Sequence, residues 1–212
     1  LGSAGLQAND YVSCGFDKAD VIICVGYDLV EYHPYLWHPD RDRTIIHIDY
    51  SPAETDAHYP VAVGVIGDIR HSLDRIAQLT TPHQGAHVRP MRERLVREMD
   101  QHREDLEFPV KPQKIIWDLR TALDLEDIVV CDVGAHKMWM ARMFRCEYPN
   151  TCIISNGFAS MGIAVPGAIA AKLVYPQRRV VAVTGDAGFM MNSQEIETAM
   201  RCKLPIVILI WN

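Results

Sequence analysis

Short runs of consecutive apolar, β-branched residues recur along the chain and predict strands. In the first third of the chain the runs are Val21–Val25, residues 44–48 and Val61–Ile66, each followed by Gly or Asp. Unbroken runs of this kind are typical of strands buried on both faces of a parallel sheet. Apolar residues at helical spacing follow in residues 68–79. Residues 1–80 are therefore predicted to form half of a doubly wound α/β domain.

The second half of the chain repeats this alternation with shorter connections. Strands and helices that alternate in this way imply a parallel sheet with right-handed crossovers. The last predicted helix carries an N-cap pattern, in which Glu195 follows three residues after Asn192. The predicted strands are 128–131, 152–155, 180–184 and 206–211, and the predicted helices are 115–123, 136–144, an Ala/Gly-rich stretch ending at 173, and one ending at 201.

A polar segment separates the two halves. Residues 80–90 contain two prolines and a glycine without periodicity, which predicts a linker. The densely charged stretch 91–106 predicts a solvated connecting helix. The predicted architecture is α/β, with two doubly wound, Rossmann-like parallel-sheet domains, both incomplete, joined by this charged helical linker. The predicted segments are 1–80, 81–111 and 112–212.

Composition and charge narrow the class of protein. The 212 residues are 49% hydrophobic and 23% charged, as in an ordinary soluble globular chain. A net charge of −6 argues against nucleic acid and anionic membrane surfaces as partners. The apolar run 204–211 is far shorter than the roughly 20 residues that span a bilayer. The six cysteines form no C-x-x-C pair, which predicts reduced thiols and a cytoplasmic protein.

Three predicted strands of the second half end in tips rich in small residues, at 133–136, 156–161 and 185–189. In parallel sheets, ligands bind outside the carboxyl ends of the strands. Two of these tips lead directly into predicted helices, whose N-termini favour anions. An anion beside the Asp186 carboxylate needs a bridging cation, and Mg²⁺ fits this requirement. These residues predict a phosphorylated ligand that is held with Mg²⁺ by Asp186.

Each tip residue also has a plain structural interpretation. Gly185 and Asp186 form a common turn sequence, His136 is in place to bond its own backbone, and Met161 is of a type common in cores. The joint placement of three small-residue tips at one end of the sheet favours ligand binding, since a turn has no need of it. The small residues that would let backbone N–H groups approach a ligand are Gly134, Ala135, Ala159, Ala187 and Gly188.

The stretch from Gly185 to Asn212 resembles the thiamine-diphosphate motif, which starts Gly-Asp-Gly and closes after the next strand with Asn-Asn or a variant. Ala187 stands in the third place of that motif. Residues 1–79 resemble the central domain of acetolactate synthase, and residues 112–212 resemble its diphosphate-binding domain. The chain thus resembles part of the large, catalytic subunit of acetolactate synthase, within the thiamine-diphosphate-dependent enzyme family.

The resemblance implies a role for each tip residue. Asp186 would be a Mg²⁺ ligand, and Ala187 and Gly188 would contact the diphosphate through backbone N–H groups. His136 and Ala135 would reach the diphosphate from the neighbouring tip, and Gly134 and Gly185 would belong to the same binding set. Ala159 would lie against the aminopyrimidine, and Met161 would be the apolar wedge that keeps the cofactor bent.

The resemblance also implies what this chain lacks. The second side-chain metal ligand would be the residue after Asn212. The glutamate that activates the pyrimidine would belong to an N-terminal domain, so no catalytic residue is assigned within this chain. We therefore expect these residues alone to be inactive. Residues 26–32 lack the Arg-containing segment of the FAD-bearing enzymes, so we expect no FAD.

The function implied is decarboxylation of pyruvate and its ligation to a second pyruvate, giving 2-acetolactate and CO₂. Its partners would be pyruvate and a second 2-keto acid, in a homodimer or homotetramer with the active site between subunits. Two alternatives stay open. One is a sister enzyme, a 2-keto acid decarboxylase or pyruvate oxidase, and the other is a non-catalytic relative that serves as an oligomerisation or regulatory module.

Overall fold

The structure is a computed structural model that describes residues 3–4, 14–30, 32–54, 56–81 and 89–212. It divides into two compact units between Arg92 and Glu93. A parallel sheet with flanking helices forms the framework of each unit, which confirms the predicted α/β fold. Residues 82–88 of the predicted linker lie outside the described residues.

The first unit is built on three parallel strands in the order β1-β2-β3. Asp68 caps the helix that follows β3, because its carboxylate accepts a hydrogen bond from the His71 amide at 2.6 Å. The elements are α1 Cys14–Asp17, β1 Val21–Val25, a 3₁₀ turn Pro34–Leu36, β2 Thr44–Asp49, β3 Val61–Ile66 and α2 Ile69–Leu79.

Burial in the first sheet differs between its two faces. In β1, Ile22 and Cys24 are buried beneath Trp37, whereas Val21 and Ile23 are exposed. The unbroken apolar run predicted a strand covered on both faces, and in the described part of this unit β1 is covered on one. The run alone does not show which neighbours are present to cover it.

The second unit has four parallel strands in the order β5-β4-β6-β7. Pro112 opens the helix before the sheet, where a missing N–H costs no helical bond. The elements are α3 Arg89–Asp100, which crosses the division between the units, α4 Pro112–Ala122, β4 Ile128–Cys131, α5 Ala135–Met143, β5 Cys152–Ile154, α6 Ala164–Val174, β6 Val180–Thr184, α7 Asp186–Asn192, α8 Glu195–Arg201 and β7 Val207–Ile210.

The two central strands of this sheet, β4 and β6, are buried along their whole length. Val129 packs on one face with Ile116 and Met140, while Val130 packs on the other with Ala168. Helices therefore cover both faces of the centre, as the unbroken apolar runs predict. This buried centre fixes where the β4 and β6 chains emerge at the carboxyl end of the sheet.

Two local predictions are wrong. The helix predicted to run to residue 201 is two helices, α7 and α8. Asn192 does not cap α8: it is the last residue of α7, and its side-chain amide donates to the Gly162 carbonyl at 2.8 Å. The Asn192 side chain thus bonds the Gly162 carbonyl, 30 residues away, instead of capping α8 as the local sequence predicted.

The charged helix is shorter than predicted and is not wholly solvated. It ends at Asp100 instead of residue 106, and Met99 is buried in a core with Ile116. None of the helices among the described residues is both long and apolar enough to cross a membrane.

Candidate functional site

The tips of β4, β5 and β6 (residues 132–136, 155–162 and 185–188) lie at the carboxyl end of the second sheet. β4 and β6 are neighbours, and the Asp132 amide donates to the Val183 carbonyl at 2.8 Å. From β4 the chain continues to β5 on one side, and from β6 it continues to β7 on the other. Such a reversal opens a crevice between two tips, which is where ligands bind in open α/β sheets.

Asp132 joins the three tips. Its side chain is buried, and its Oδ1 accepts from the amides of Val133 and Gly162, both at 2.8 Å. Its Oδ2 accepts from the Ala164 amide at 3.1 Å and from the Thr184 hydroxyl at 3.3 Å. Sequence reasoning did not select Asp132. The available signal was an acidic residue directly after a fully apolar strand, where burial demands hydrogen-bond donors.

His136 is buried in the first turn of α5, and its Nε2 has no hydrogen-bond partner among the described residues. Burial lowers the pKa of this imidazole below its usual 6.5, while the neighbouring Asp132 acts against that shift. The ring is therefore neutral at neutral pH. A buried polar atom without a partner is rare in folded proteins, so this nitrogen is a candidate contact for a ligand.

The His136 ring also explains two of the small residues. A Cβ at Gly134 would lie 2.7 Å from the ring carbon Cε1, so only glycine fits beside the imidazole. A Cβ at Gly185 would lie 3.5 Å from the same atom. The β4 and β6 tips therefore meet at His136. Gly134 serves intramolecular packing, whereas the neighbouring Ala135 is exposed.

The β6 tip carries one open carboxylate on a tightly packed turn. Asp186 and Ala187 are exposed, and Asp186 has no hydrogen-bond or ion-pair partner within the part of the chain that the structure describes. Gly188 is buried, and a Cβ there would lie 2.9 Å from Thr184 Oγ1 and 3.1 Å from Asp132 Cγ. The turn can thus approach the Asp132 carboxylate only because residue 188 is glycine.

The β5 tip presents apolar side chains to solvent. Met161 is 41% exposed and Phe158 is fully exposed, so Met161 does not belong to the core that the described residues form. Ala159 has a φ of 46°, a left-handed conformation that is costly for a residue with a Cβ. Strain of this kind persists where surrounding contacts fix the backbone, as at binding sites.

Asp186 could hold a metal ion only together with ligands that the described residues do not supply. Among the described residues no group of three or more His, Cys, Asp or Glu side chains could bind one. Mg²⁺ is commonly bound through one or two carboxylates, with phosphate oxygens and water completing the shell. One open carboxylate, a partnerless imidazole nitrogen and two small-residue tips fit a diphosphate bound with a divalent cation.

The first unit has a separate cavity of about 190 Å³ at the carboxyl ends of β1 and β2. Its lining includes three carboxylates, those of Asp28, Asp49 and Glu54. The buried pair His47 and Tyr59, bonded between Nδ1 and the hydroxyl at 3.0 Å, contributes to the same cavity. The three carboxylates make this cavity negatively charged.

Comparison with known proteins assigns both halves of the chain. Residues 132–212 match the thiamine pyrophosphate enzyme C-terminal TPP-binding domain, TPP being thiamine diphosphate. Residues 1–76 match the thiamine pyrophosphate enzyme central domain. The match to the C-terminal domain begins at Asp132 and so contains the three tips.

Individual relatives agree with these matches. The chain is 37% identical over 220 residues to an acetolactate synthase of Bacillus subtilis, with 100% of this chain and 38% of that protein covered. It is 35% identical to a catabolic acetolactate synthase of Raoultella terrigena, with 99% and 38% covered. A probable acetolactate synthase large subunit of Methanocaldococcus jannaschii is 30% identical, with 100% and 38% covered. The chain thus spans 38% of the length of these relatives, and it belongs to the thiamine pyrophosphate enzyme family, of which it carries central-domain and C-terminal-domain sequence.

Proposed function

We propose that this chain is part of an acetolactate synthase that depends on thiamine diphosphate and Mg²⁺, and that condenses two molecules of pyruvate to 2-acetolactate with release of CO₂. The observation that carries this proposal is the meeting of the β4 and β6 tips at the His136 ring. The Nε2 atom of this ring has no partner among the described residues, and the ring carbon Cε1 would lie 3.5 Å from a Cβ at Gly185, the residue before the open Asp186 carboxylate. The resemblance to acetolactate synthases over the whole chain supports the choice of reaction.

The β4 and β6 tips would bind the diphosphate. Asp186 would hold Mg²⁺ through its open carboxylate, and the backbone amides of Ala187 and Gly188 would contact the diphosphate. Ala135 and His136 would contact it from the β4 tip. Nε2 is the atom of this ring that is open to the cofactor, because it has no hydrogen-bond partner among the described residues.

The β5 tip would hold the organic part of the cofactor. Ala159 would lie against the aminopyrimidine, and the exposed Met161 would be the apolar support behind it. When bound, thiamine diphosphate supplies the carbanion chemistry that decarboxylates a 2-keto acid and transfers the remaining unit. The chain's own contribution is geometric and electrostatic: it binds the diphosphate, orients the rings and keeps the apolar support in place.

The assembly and remaining partners belong to the same proposal. The substrates would be pyruvate and a second 2-keto acid, in a homodimer or homotetramer with the active site between subunits. FAD would be absent. The support for this is that residues 26–32 lack the Arg-containing segment of the FAD-bearing enzymes.

Product analysis tests the proposed reaction. The complete protein is incubated with pyruvate, thiamine diphosphate and Mg²⁺, and the products are separated and quantified. Acetolactate, together with CO₂, is the expected result. Acetaldehyde or acetyl phosphate without acetolactate would identify a sister decarboxylase or oxidase, and cofactor binding without turnover of any 2-keto acid would identify a non-catalytic relative.

A further inference from the structure

The peptide group of Gly162, directly after Met161, is held from both sides. Its N–H donates to Asp132 Oδ1 at 2.8 Å, and its carbonyl accepts from Asn192 Nδ2 at 2.8 Å. Gly162 has a φ of 87°, and a Cβ there would lie 2.6 Å from Asn192 Nδ2. The residue is thus glycine both for its left-handed backbone and for the close approach of the amide.

Asp132 is suited to hold this peptide because every partner of its carboxylate is a donor. The amides of Gly162 and Val133 meet Oδ1, and the Ala164 amide and the Thr184 hydroxyl meet Oδ2. Both oxygens act only as acceptors, which is what a carboxylate offers and an amide side chain does not. Three of the four donors are backbone N–H groups that cannot reverse their direction.

The two holding residues come from different elements. Asp132 follows β4, and Asn192 ends α7, the helix that begins at Asp186. Gln194 supports the second contact, since its Nε2 donates to Asn192 Oδ1 at 3.3 Å. The backbone that carries the exposed Met161 is therefore tied to the same two elements that form the β4 and β6 tips.

We propose that Asp132 and Asn192 clamp the Gly162 peptide and thereby fix Met161 relative to the β4 and β6 tips, so that both act as positioning residues for the bound cofactor. The inference rests on the proposed function, because it takes Met161 as the apolar support. Neither residue needs to touch the cofactor. Their effect is to prevent the β5 tip from shifting, and a shift of about 1 Å at a site of this kind can cost on the order of 100-fold in rate.

Asp132→Asn breaks one side of the clamp with little change in volume. If the amide nitrogen takes the place of Oδ1, it faces the two donors of Gly162 and Val133. If it takes the place of Oδ2, it still faces the Ala164 amide, although the Thr184 hydroxyl can turn to the Gly185 carbonyl at 3.1 Å. Either orientation loses at least one backbone hydrogen bond of the 162–164 segment.

Asn192→Asp breaks the other side, because a carboxylate cannot donate to the Gly162 carbonyl. Asp127→Asn is the matched control. Asp127 is also a buried carboxylate, at the opposite end of β4, and it accepts from the amides of Asp124 and Arg179 at 2.8 and 2.9 Å. Asp127 also pairs with the Arg179 guanidinium, and it has no contact with the tips. It therefore reports the effect of a lost buried carboxylate on the fold alone.

The complete protein and its three variants are compared by steady-state kinetics, by calorimetric titration with thiamine diphosphate and Mg²⁺, by thermal unfolding and by amide hydrogen exchange of a peptide covering residues 160–165. We expect both clamp variants to lower kcat by about 10- to 100-fold while the cofactor Kd changes by less than about threefold. Exchange at Gly162 and Ala164 should become faster. Asp127→Asn should lower the melting temperature and leave kcat and this exchange unchanged.

Several outcomes would overturn the clamp. One is an unchanged kcat in Asn192→Asp. If Asp132→Asn does not fold, the kcat of Asn192→Asp decides the question by itself. Another is an equal loss of kcat in Asp127→Asn, because it would show that the loss of kcat in the clamp variants comes from a general loss of stability. Failure of the wild-type protein to bind thiamine diphosphate refutes the proposed function itself, and is recognised because it precedes any comparison of variants.

Discussion

The two ends of the second sheet satisfy their buried carboxylates in opposite ways. At the amino end, Asp127 accepts from the Arg179 amide and also pairs with the Arg179 guanidinium, Nε to Oδ2, at 2.8 Å. At the carboxyl end, Asp132 has only neutral N–H and O–H donors as hydrogen-bond partners, and His136 Nε2 has none among the described residues. The buried carboxylate of the amino end thus has a charged partner, whereas the carboxyl end holds a buried ring nitrogen without a partner among the described residues.

This difference supports the carboxyl end of the second sheet as the place of the proposed cofactor site. An ion pair that is partly exposed contributes little to the free energy of unfolding, but it gives the buried Asp127 carboxylate a partner of opposite charge. Arg178 and Glu126 close the amino end with a second pair at 2.9 Å. An end that serves only structure has no reason to leave a buried ring nitrogen without a partner and a carboxylate open at the same edge.

The largest effect is expected for Asp186→Ala, which removes the open carboxylate at the carboxyl end of the second sheet. Without this carboxylate the proposed cation site loses its charged ligand on the β6 tip, so we expect Mg²⁺-dependent affinity for thiamine diphosphate to fall by about 100-fold or more, as for the loss of a charge contact worth ~3 kcal/mol. Calorimetric titration of the complete protein measures this. Asp124→Ala, which removes an exposed carboxylate at the amino end, is the control and should bind the cofactor normally. Undiminished affinity in Asp186→Ala would remove the metal role.

A smaller effect is expected for Gly188→Ala. The added methyl group would press on Thr184 and Asp132, both buried, and should lower the free energy of unfolding by about 1–3 kcal/mol. Gly64→Ala, in β3, is the control because a Cβ there meets nothing within 4 Å. Chemical denaturation compares the two variants with the wild type. Equal stability of both variants would show that the β6 tip has room to move.

The smallest expected effect is on how the free energy of unfolding depends on pH. Burial lowers the folded-state pKa of His136 below the 6.5 of a free imidazole, so below that pH the unfolded chain binds more protons. The stability that the neutral His136 contributes is fully present above the unfolded pKa and is lost as the pH falls, at up to about 1.4 kcal/mol per pH unit. Denaturation between about pH 5.5 and 7.5 should give a shallower slope for His136→Asn. Identical slopes would contradict the buried, neutral ring.

The strands at the centre of the second sheet and the three tips follow from the sequence, because unbroken apolar runs closed by small residues encode them locally. Ile128–Cys131 and Val180–Thr184 have the predicted bounds. The prediction for Asn192 was wrong because its partner, Gly162, lies 30 residues away, and local pattern cannot reveal such a pairing. Asp132 was missed for the same reason, since its four donors come from three separate segments.

The sequence by itself determined the α/β class, the order of strands and helices, and the small residues that lead into the ligand end, since these depend on local periodicity and backbone freedom. Only the tertiary structure decided that Gly134 and Gly188 make room for His136, Thr184 and Asp132. The tertiary structure also brings the buried Asp132 carboxylate into hydrogen bonds with donors from three separate segments. The physical reason is that a buried hydrogen bond requires two partners at about 3 Å, and folding alone brings distant partners to that distance.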